Sequence, residues 1–211
     1  FVREQGIQVP IYILKADGGT IDIEHSRDFP VQTILSGPAA SIMGILSMAR
    51  CRHDAIALDM GGTTTDIALF ADGIPLLEPF GVTIEGHRTL IRGLQTKSIG
   101  VGGDSRVRVE EGVIRVGPVR EGPAAACGGP CPTPTDAMVV LGLTEIGDAA
   151  LARKAMEDIG RSIGTDAEEA ARAVYGETCR IIAAAVTSLI EEVNKIFTAM
   201  HADGRLSAIS I

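Results

Sequence analysis

A glycine- and threonine-rich segment between two aspartates is the part of this sequence best suited to chemistry. Residues 58–73 are LDMGGTTTDIALFADG, in which apolar runs flank the polar stretch. A tight turn through Gly61 and Gly62 would leave backbone N–H groups uncovered, and successive N–H groups form a concavity that suits phosphate oxygens. Three hydroxyl donors would lie at the same turn: Thr63, Thr64 and Thr65. We therefore predict that this segment binds phosphate groups.

An ordinary hairpin with capping threonines is the alternative interpretation of the same residues. The commonest hairpin connections need about two turn residues, whereas this one has five, GGTTT. The excess favours a turn that holds a ligand rich in oxygen.

The two flanking aspartates suit a phosphate ligand only if a cation shares the site. Asp59 ends the first apolar run, where it could hold Mg²⁺ directly or through water, as that ion prefers. Asp66 begins the second run and could brace the turn or orient a water molecule. We predict both aspartates as catalytic residues and Asp59 as the metal ligand.

A second glycine cluster follows at 100–104, GVGGD. Its Gly102 and Gly103 could form another phosphate-facing turn, or a bulge in a twisted strand. Paired with the first turn across a cleft, they would make two backbone clamps on one nucleotide. Nearby, Lys97 could supply a counter-charge for phosphate or for the carboxylate of Asp104.

Composition excludes several classes of partner. The net charge is −8 without any cluster of Lys and Arg, which argues against nucleic acid and against an anionic membrane surface. No run approaches the ~18 apolar residues of a membrane span, and no signal-peptide pattern precedes the first strand. The four cysteines among 211 residues are typical of reduced thiols, which predicts a cytoplasmic protein.

Cys127 and Cys131 have C-x₃-C spacing, which raises the alternative of a structural zinc site. Such a site needs two further ligands, and the candidates are Cys51, Cys179, His25, His53, His87 and His201. Zinc is the less favoured interpretation. His87 could face a cleft, but an exposed loop histidine is the favoured interpretation.

The strands that would position the turn are predicted from short apolar runs. We place strands at 54–59 and 66–70, on either side of the turn, and an earlier strand at 11–19 that ends in a glycine turn. Two hairpin turns are predicted, at Asp72-Gly73 and around Gly112. A Pro-, Gly- and Ala-rich segment at 118–137 must be a long ordered loop or a covering flap.

Helices are predicted on both sides of this strand-rich part. One runs over 36–50, with Ser36 as N-cap and Pro38 in its first turn. Three more follow the long loop: one capped by Thr135 or Asp136 through Val140, one capped by Asp148 through Ile163, and the longest from Thr165 with Glu168 to about Asp203-Gly204. The order predicts an α/β sheet covered by helices.

We expect the chain to be a fragment of a longer polypeptide. It opens on Phe1 and stops in the strand-like run SAISI. The expected organisation is a strand-rich core with phosphate loops at 1–117, a loop at 118–135, a helical part at 136–203 and the start of a returning strand at 204–211.

These segments resemble the actin-like ATPase superfamily, and more closely the A-type subunits of the hydantoinase/oxoprolinase family. The motifs that carry the resemblance occur in the family's order: SGPAA at 36–40, DMGGTTTD at 59–66, IGVGGDS at 99–105, RVGP at 115–118, AACGG at 125–129 and PTPTDA at 132–137. Two positions depart from the family pattern. Asp104 stands where the glycine turn usually has its third glycine, and Lys97 stands where relatives often carry histidine or another polar residue.

The resemblance implies an α/β, ribonuclease H-like lobe, with a mixed sheet, antiparallel strands and covering helices. It implies ATP and Mg²⁺ as cofactors, a cyclic amide as substrate and a B-type partner subunit, with a homo-oligomer also conceivable. Gly61, Gly62, Thr63 to Thr65, Gly102, Gly103 and Lys97 would bind the nucleotide, and Cys127 would have a substrate-side or packing role. The implied reaction is hydrolysis of the ring after ATP has phosphorylated the amide oxygen.

Two other functions are compatible with the same motifs. The chain could belong to an ATP-dependent ketone carboxylase, since related subunits activate ketones with ATP. It could also be a non-hydrolytic ATP-binding module whose closure signals to a partner, as in chaperone-like relatives. Asp104 slightly favours such a module, and the full set of hydantoinase-type motifs argues against it.

Overall fold

The structure, a computed structural model, describes residues 1–49, 51–84 and 86–200. Its contacts divide the chain into two compact units. The first comprises Phe1–Ala57 and Ala68–Thr96, and the second comprises Leu58–Ile67 and the described residues from Lys97. The predicted phosphate turn belongs to the unit that also holds the long loop and the later helices.

The described elements come in groups: two strands, two helices, eight short strands and then three helices, of which the last is the longest. In order they are β1 (Tyr12–Leu14), β2 (Thr20–Asp22), α1 (Ile23–Asp28), α2 (Ser36–Met48), β3 (Ala55–Met60), β4 (Thr65–Ala71), β5 (Ile74–Pro75), β6 (Thr83–Ile84), β7 (His87–Arg88), β8 (Thr96–Ile99), β9 (Val107–Glu110), β10 (Val113–Val116), α3 (Pro134–Val140), α4 (Ala149–Ile163) and α5 (Ala167–Met200).

The strands form small sheets. β3, β4 and β5 lie side by side, and β8 pairs with β4. The remaining strands make two-stranded antiparallel ladders, namely β1–β2, β6–β7 and β9–β10. This is the α/β architecture with antiparallel strands that the sequence predicted.

Both predicted hairpin turns are confirmed. Asp72 and Gly73 have φ of 50° and 77° between β4 and β5, and Glu111 and Gly112 have φ of 52° and 76° between β9 and β10. Positive φ at both central residues is the geometry of a type I′ turn, which Asp-Gly favours.

In the first unit, α2 supplies the apolar side chains that build the core. Ala39 and Ile42 of α2 pack with Ala57, Ala68, Phe70 and Leu94. Small residues in the early turns of α2 allow this packing. α2 begins at Ser36 itself, and Leu35 precedes it in the left-handed region with φ of 62°. Ser36 is therefore the first helical residue and not the N-cap that the sequence predicted.

The second unit is built around the packing of α3, α4 and α5. Its main core includes Met156 of α4, Ala170, Ala171 and Val174 of α5, and Val107 and Val116 of the β9–β10 ladder. Alanines at the contact let the helices approach closely, while methionine and the branched residues supply most of the buried apolar area.

The helix starts in this unit are partly as predicted. Asp148 caps α4 by accepting hydrogen bonds from the N–H groups of Ala150 and Leu151, which confirms its predicted role. α3 is capped by Thr133 and not by Thr135 or Asp136. Asp166 accepts from the N–H of Glu169 before α5, so the predicted pair of Thr165 and Glu168 is wrong. The predicted helix end at Asp203-Gly204 and the returning strand at 204–211 lie outside the described residues.

Asp136 ties the long 118–133 loop to α3. Its carboxylate is fully buried and accepts from the N–H of Ala125 (3.1 Å), of Ala126 (2.7 Å) and of Thr133 (2.9 Å), and from the Thr133 hydroxyl (2.8 Å). Thr133 in turn accepts from the Asp136 N–H, which completes a capping box. The loop is therefore ordered, as the sequence predicted.

One described helix passes a length-and-composition test for a membrane span. Residues 167–196 of α5 are long and apolar enough to cross a bilayer, but a core helix of a soluble protein passes the same test, so one such helix is weak evidence. This differs from the sequence expectation that no run approaches that length. α5 packs on α3 and α4, and Ala167, Ala170, Ala171 and Val174 of its first half lie in the core.

We predict that Asp136→Asn destabilises the protein by about 2–4 kcal/mol. The substitution replaces one carboxylate oxygen by an NH₂ group, which would face buried N–H groups whose hydrogen bonds that oxygen now accepts. Asp148→Asn is the matched control, since Asn caps a helix about as well as Asp and the expected loss is below about 0.5 kcal/mol. Urea unfolding of both variants measures the difference. Equal losses in the two would contradict the bracing role of Asp136.

Candidate functional site

The GGTT turn, residues 61–64, joins β3 to β4 in the second unit. It is closed by a hydrogen bond from the Gly61 N–H to the Thr64 carbonyl at 2.9 Å. Asp59 is exposed near the end of β3, and Asp66 is half-buried at the start of β4. The structure therefore brings both predicted carboxylates to the base of the turn.

The second glycine segment, residues 102–104, lies directly against this turn. The Gly103 N–H donates to the Gly61 carbonyl at 2.9 Å, and the Asp104 N–H donates to the Gly62 carbonyl at 2.8 Å. A Cβ on Gly102 would lie 2.5 Å from the Gly61 carbonyl oxygen. The two segments can approach this closely only because Gly102 has no side chain.

This contact corrects the prediction of two clamps facing each other across a cleft. The N–H groups of Gly103 and Asp104 are already used by the turn, and the Gly102 N–H donates to the Ser105 hydroxyl at 2.8 Å. The glycine segment therefore supports the GGTT turn from behind and does not present these donors to a phosphate.

Thr65 also has a supporting role rather than the predicted ligand role. Its side chain is 1% exposed, and its hydroxyl donates to the Val101 carbonyl at 2.6 Å. On the far side of the segment, Thr135 donates through both its N–H (3.0 Å) and its hydroxyl (2.8 Å) to the Gly103 carbonyl. These bonds connect the turn to the first residues of α3.

The exposed part of the turn keeps donors that suit an anion. Within the described part of the chain, no acceptor is assigned to the N–H of Gly62 or of Thr63. The Thr63 side chain is exposed and Thr64 is half-buried. Uncovered N–H groups, hydroxyls and a nearby cation are the donor set that phosphate oxygens require.

Arg120 supplies that cation, and sequence reasoning missed it. Its guanidinium donates to the Asp104 carboxylate at 2.7 Å and to the Thr63 hydroxyl at 3.4 Å. It also donates to the Gly122 carbonyl at 3.3 Å. The signal available in the sequence was that Arg120 is the only basic residue of the segment 118–137.

Lys97 does not join this group. Its ammonium donates to the Glu192 carboxylate at 2.7 Å and to the Ser188 hydroxyl at 2.9 Å. Lys97 therefore ties β8 to α5, and the partner predicted for Asp104 is wrong, because Arg120 takes that place. The hydrogen bond from Lys97 is the main cause that lowers the pKa of Glu192.

The carboxylates at the turn fit the needs of magnesium carried on a nucleotide. No cluster of three or more His, Cys, Asp or Glu that could hold a metal occurs in the described ranges. Mg²⁺ bound to a nucleotide usually needs one or two protein carboxylates, with phosphate and water as its other ligands. Asp59, with Asp66 as a second carboxylate, meets this requirement.

The sequence raised the cysteines as possible zinc ligands and His87 as a possible cleft residue. Cys127 is exposed and Cys131 is buried, and burial raises the pKa of the Cys131 thiol, which favours its neutral form. His87 is exposed, as favoured from the sequence, but it lies in strand β7 and not in a loop.

The chain is similar to a known family and to several named proteins. A family model described as hydantoinase/oxoprolinase matches residues 1–197. The chain is 35% identical over 140 residues to 5-oxoprolinase of Saccharomyces cerevisiae, covering 63% of this chain and 11% of that protein. It is 32% identical over 189 residues to the acetophenone carboxylase gamma subunit of Aromatoleum aromaticum, covering 81% of this chain and 26% of that protein.

Two solved structures share the fold. Nucleotide-free acetone carboxylase matches with a TM-score of 0.69 at 20% identity, over 97% of this chain and 30% of that one. ATP-dependent caprolactamase of Pseudomonas jessenii matches with a TM-score of 0.64 at 24% identity, over 89% of this chain and 30% of that one. The chain thus spans less than a third of the length of each of these proteins.

We predict that Gly102→Ala destabilises the second unit by about 2 kcal/mol or more, because the new methyl group would meet backbone atoms that cannot move aside without breaking the bonds to the turn. Gly176→Ala is the matched control. A Cβ at Gly176 meets nothing within 4 Å, and alanine in a helix is favoured over glycine by up to about 1 kcal/mol. Denaturant midpoints that fall equally for both variants would contradict the close-contact argument.

We predict that Lys97→Met raises the pKa of Glu192 towards its ordinary value. A lowered folded-state pKa contributes stability above the unfolded-state value, and that stability is lost as the pH falls through the folded-state pKa. The variant should therefore lose up to about 1 kcal/mol at neutral pH and less in acid. Carboxyl NMR titration and unfolding at both pH values test this, with the exposed Lys154→Met as control. An unchanged Glu192 titration would contradict the assignment.

Proposed function

This chain belongs to the hydantoinase/oxoprolinase family, and we propose that it is the nucleotide-phosphate-binding part of an ATP-dependent enzyme that hydrolyses cyclic amides. The observation that carries the proposal is the GGTT turn, which is braced by the second glycine segment and accompanied by Arg120. The similarity to 5-oxoprolinase and to an ATP-dependent caprolactamase supports a ring amide as substrate.

The proposed chemistry activates an amide carbonyl carbon, which reacts poorly with water on its own. Transfer of the γ-phosphoryl group to the amide oxygen forms an O–P bond, breaks the bond to the β-phosphate and releases ADP. Water can then attack the activated carbon and the ring C–N bond breaks, which leaves an acyl phosphate. A second water hydrolyses this acyl phosphate to the carboxylic acid and phosphate. Overall, ATP, the ring amide and two waters give the opened amino acid, ADP and phosphate.

In this scheme the turn acts by positioning and by neutralising charge, which dominate catalysis of phosphoryl transfer. The N–H groups of Gly62 and Thr63 and the hydroxyls of Thr63 and Thr64 would donate to phosphate oxygens. Asp59 would hold Mg²⁺, which when bound neutralises negative charge on the phosphates. Asp66 would orient water or brace the turn. Gly61, Thr65, Gly102 and Gly103 would keep the donors in place.

The finer features expected from the sequence belong to the same proposal. We propose that the fold is an actin-like, ribonuclease H-like lobe and that the protein is cytoplasmic. The acetophenone carboxylase relative is named as a gamma subunit, which supports a partner subunit for this chain as well.

A ketone carboxylase is the second candidate function. The chain is 32% identical to an acetophenone carboxylase subunit over 81% of its length. ATP could phosphorylate the oxygen of a ketone enolate as it would that of an amide, so the same turn would serve both reactions. A non-hydrolytic ATP-binding module is disfavoured by this similarity to proteins named as enzymes.

We predict that the complete polypeptide containing this sequence, with any partner subunit that copurifies, releases ADP faster when one cyclic amide of a panel is present. Asp59→Asn should lower this stimulated rate by about 10²-fold or more, because the charge of the transferred group is then poorly neutralised. Asp28→Asn, another exposed aspartate, is the control and should leave the rate unchanged.

The same assay separates the alternatives. Stimulation by ketones with bicarbonate, and by no ring amide, would favour the carboxylase. ATP binding without stimulation by any compound would favour the non-hydrolytic module.

A further inference from the structure

An ion pair between Asp104 and Arg120 covers one side of the GGTT turn. The Asp104 carboxylate is mostly buried, with 20% of its side chain exposed, and Arg120 is 44% exposed. Asp104 is fixed at the turn through its own N–H, which donates to the Gly62 carbonyl at 2.8 Å. A carboxylate next to a phosphate-binding turn is unfavourable unless a cation balances it, and Arg120 provides that balance.

The hydrogen bonds of Arg120 fix the orientation of its guanidinium. Nε donates to the Gly122 carbonyl, one terminal nitrogen donates to Asp104, and the other donates to the Thr63 hydroxyl. A guanidinium has five N–H donors in a rigid plane. Three are used in these contacts, which leaves one N–H on each terminal nitrogen for another acceptor.

Two N–H groups on a planar cation match two oxygens of one phosphate group. The bond to Thr63, at 3.4 Å, is the longest of the three, so an anion that reaches the turn could replace it at little cost. Thr63 is also exposed on the turn, and among the described residues no acceptor is found for its N–H. The free donors of Arg120 and those of the turn are therefore available to the same ligand.

We propose that Arg120 contacts the phosphates of the bound nucleotide and that Asp104 is a positioning residue that keeps the guanidinium at the turn. This inference rests on the proposed function, because it names a further phosphate-binding residue at the same site. It assigns a role to Asp104, a carboxylate that would otherwise disfavour an anionic ligand at the turn.

An ordinary surface ion pair is the competing explanation, and the chain contains a suitable comparison. Arg106 pairs with Glu121 in the same region, and its side chain is 43% exposed, against 44% for Arg120. The ion-pair partner of Arg106 is not at the turn. Arg106→Gln therefore removes the same charge at equal exposure without removing a donor to Thr63.

The experiment measures the affinity of the complete polypeptide for Mg-ATP and for inorganic tripolyphosphate by calorimetry. We expect Arg120→Gln to lower the affinity for both ligands at least 10-fold and Arg106→Gln to lower it less than 2-fold. Arg120→Lys should fall between, because lysine keeps the charge but loses the planar arrangement of donors.

The positioning role of Asp104 is tested by substituting it with and without Arg120→Gln. Asp104→Ala should weaken binding about 3- to 10-fold in the natural protein and less than 2-fold when Arg120→Gln is already present. Asp104→Asn keeps an oxygen that accepts from the guanidinium and should restore affinity to within about 2-fold. A role in folding alone would move the unfolding midpoint without this dependence on Arg120.

The outcomes distinguish this inference from the proposed function. If Arg120→Gln binds both ligands as the natural protein does, the inference is overturned while the proposed function stands. Tighter binding by Asp104→Ala would overturn the positioning role. Arg120-dependent binding of tripolyphosphate without binding of Mg-ATP would keep Arg120 as a phosphate-binding residue but refute the nucleotide as its ligand and with it the proposed function, and binding of neither ligand would refute both.

Discussion

The site depends on two backbone hydrogen bonds between segments that lie about forty residues apart in the sequence. The N–H groups of Gly103 and Asp104 donate to the carbonyls of Gly61 and Gly62, and Gly102 makes room for them because it has no Cβ. A turn of four residues between two strands is not rigid on its own, and its donors would lose entropy on binding a ligand. The bonds from behind fix it in advance, which is the form of preorganisation that electrostatic stabilisation requires.

The support extends from these bonds to the helical core. The carbonyl of Gly103 accepts hydrogen bonds from Thr135 at the start of α3. Asp136 of the same helix accepts hydrogen bonds from backbone N–H groups of the 118–133 loop, and these bonds order the loop. Arg120 is carried by that loop. The donors on the turn and the cation beside it are therefore held by one helix start, which packs on α4 and α5.

Local features of this structure could be predicted from the sequence, whereas the contacts that assemble the site could not. The β3 and β4 runs, both Asp-Gly and Glu-Gly turns and the cap at Asp148 depend on neighbouring residues only. Arg120 and Thr63 are 57 residues apart, and Lys97 and Glu192 are 95 apart. A charge can be paired with a distant partner only when the fold is known, so the sequence offered Lys97 as a counter-charge for phosphate or for the nearby Asp104 and gave no indication of Glu192. Thr65 was misassigned for a related reason: three adjacent threonines look equivalent, but the alternation of side chains at a strand start buries one of them.

The charges around the turn bear on what it can bind. Asp59, Asp66 and Asp104 contribute three carboxylates near the turn, and Arg120 contributes one cation that is already paired with Asp104. A polyphosphate would add further negative charge beside these carboxylates, and repulsion between them would oppose binding. A divalent ion that arrives with the nucleotide removes this difficulty, because it replaces repulsion between phosphate and carboxylate by two attractions. The carboxylates then favour a metal-bound polyphosphate over a free one. The excess of acidic residues at the turn is thus consistent with a nucleotide site, provided that the nucleotide carries its cation.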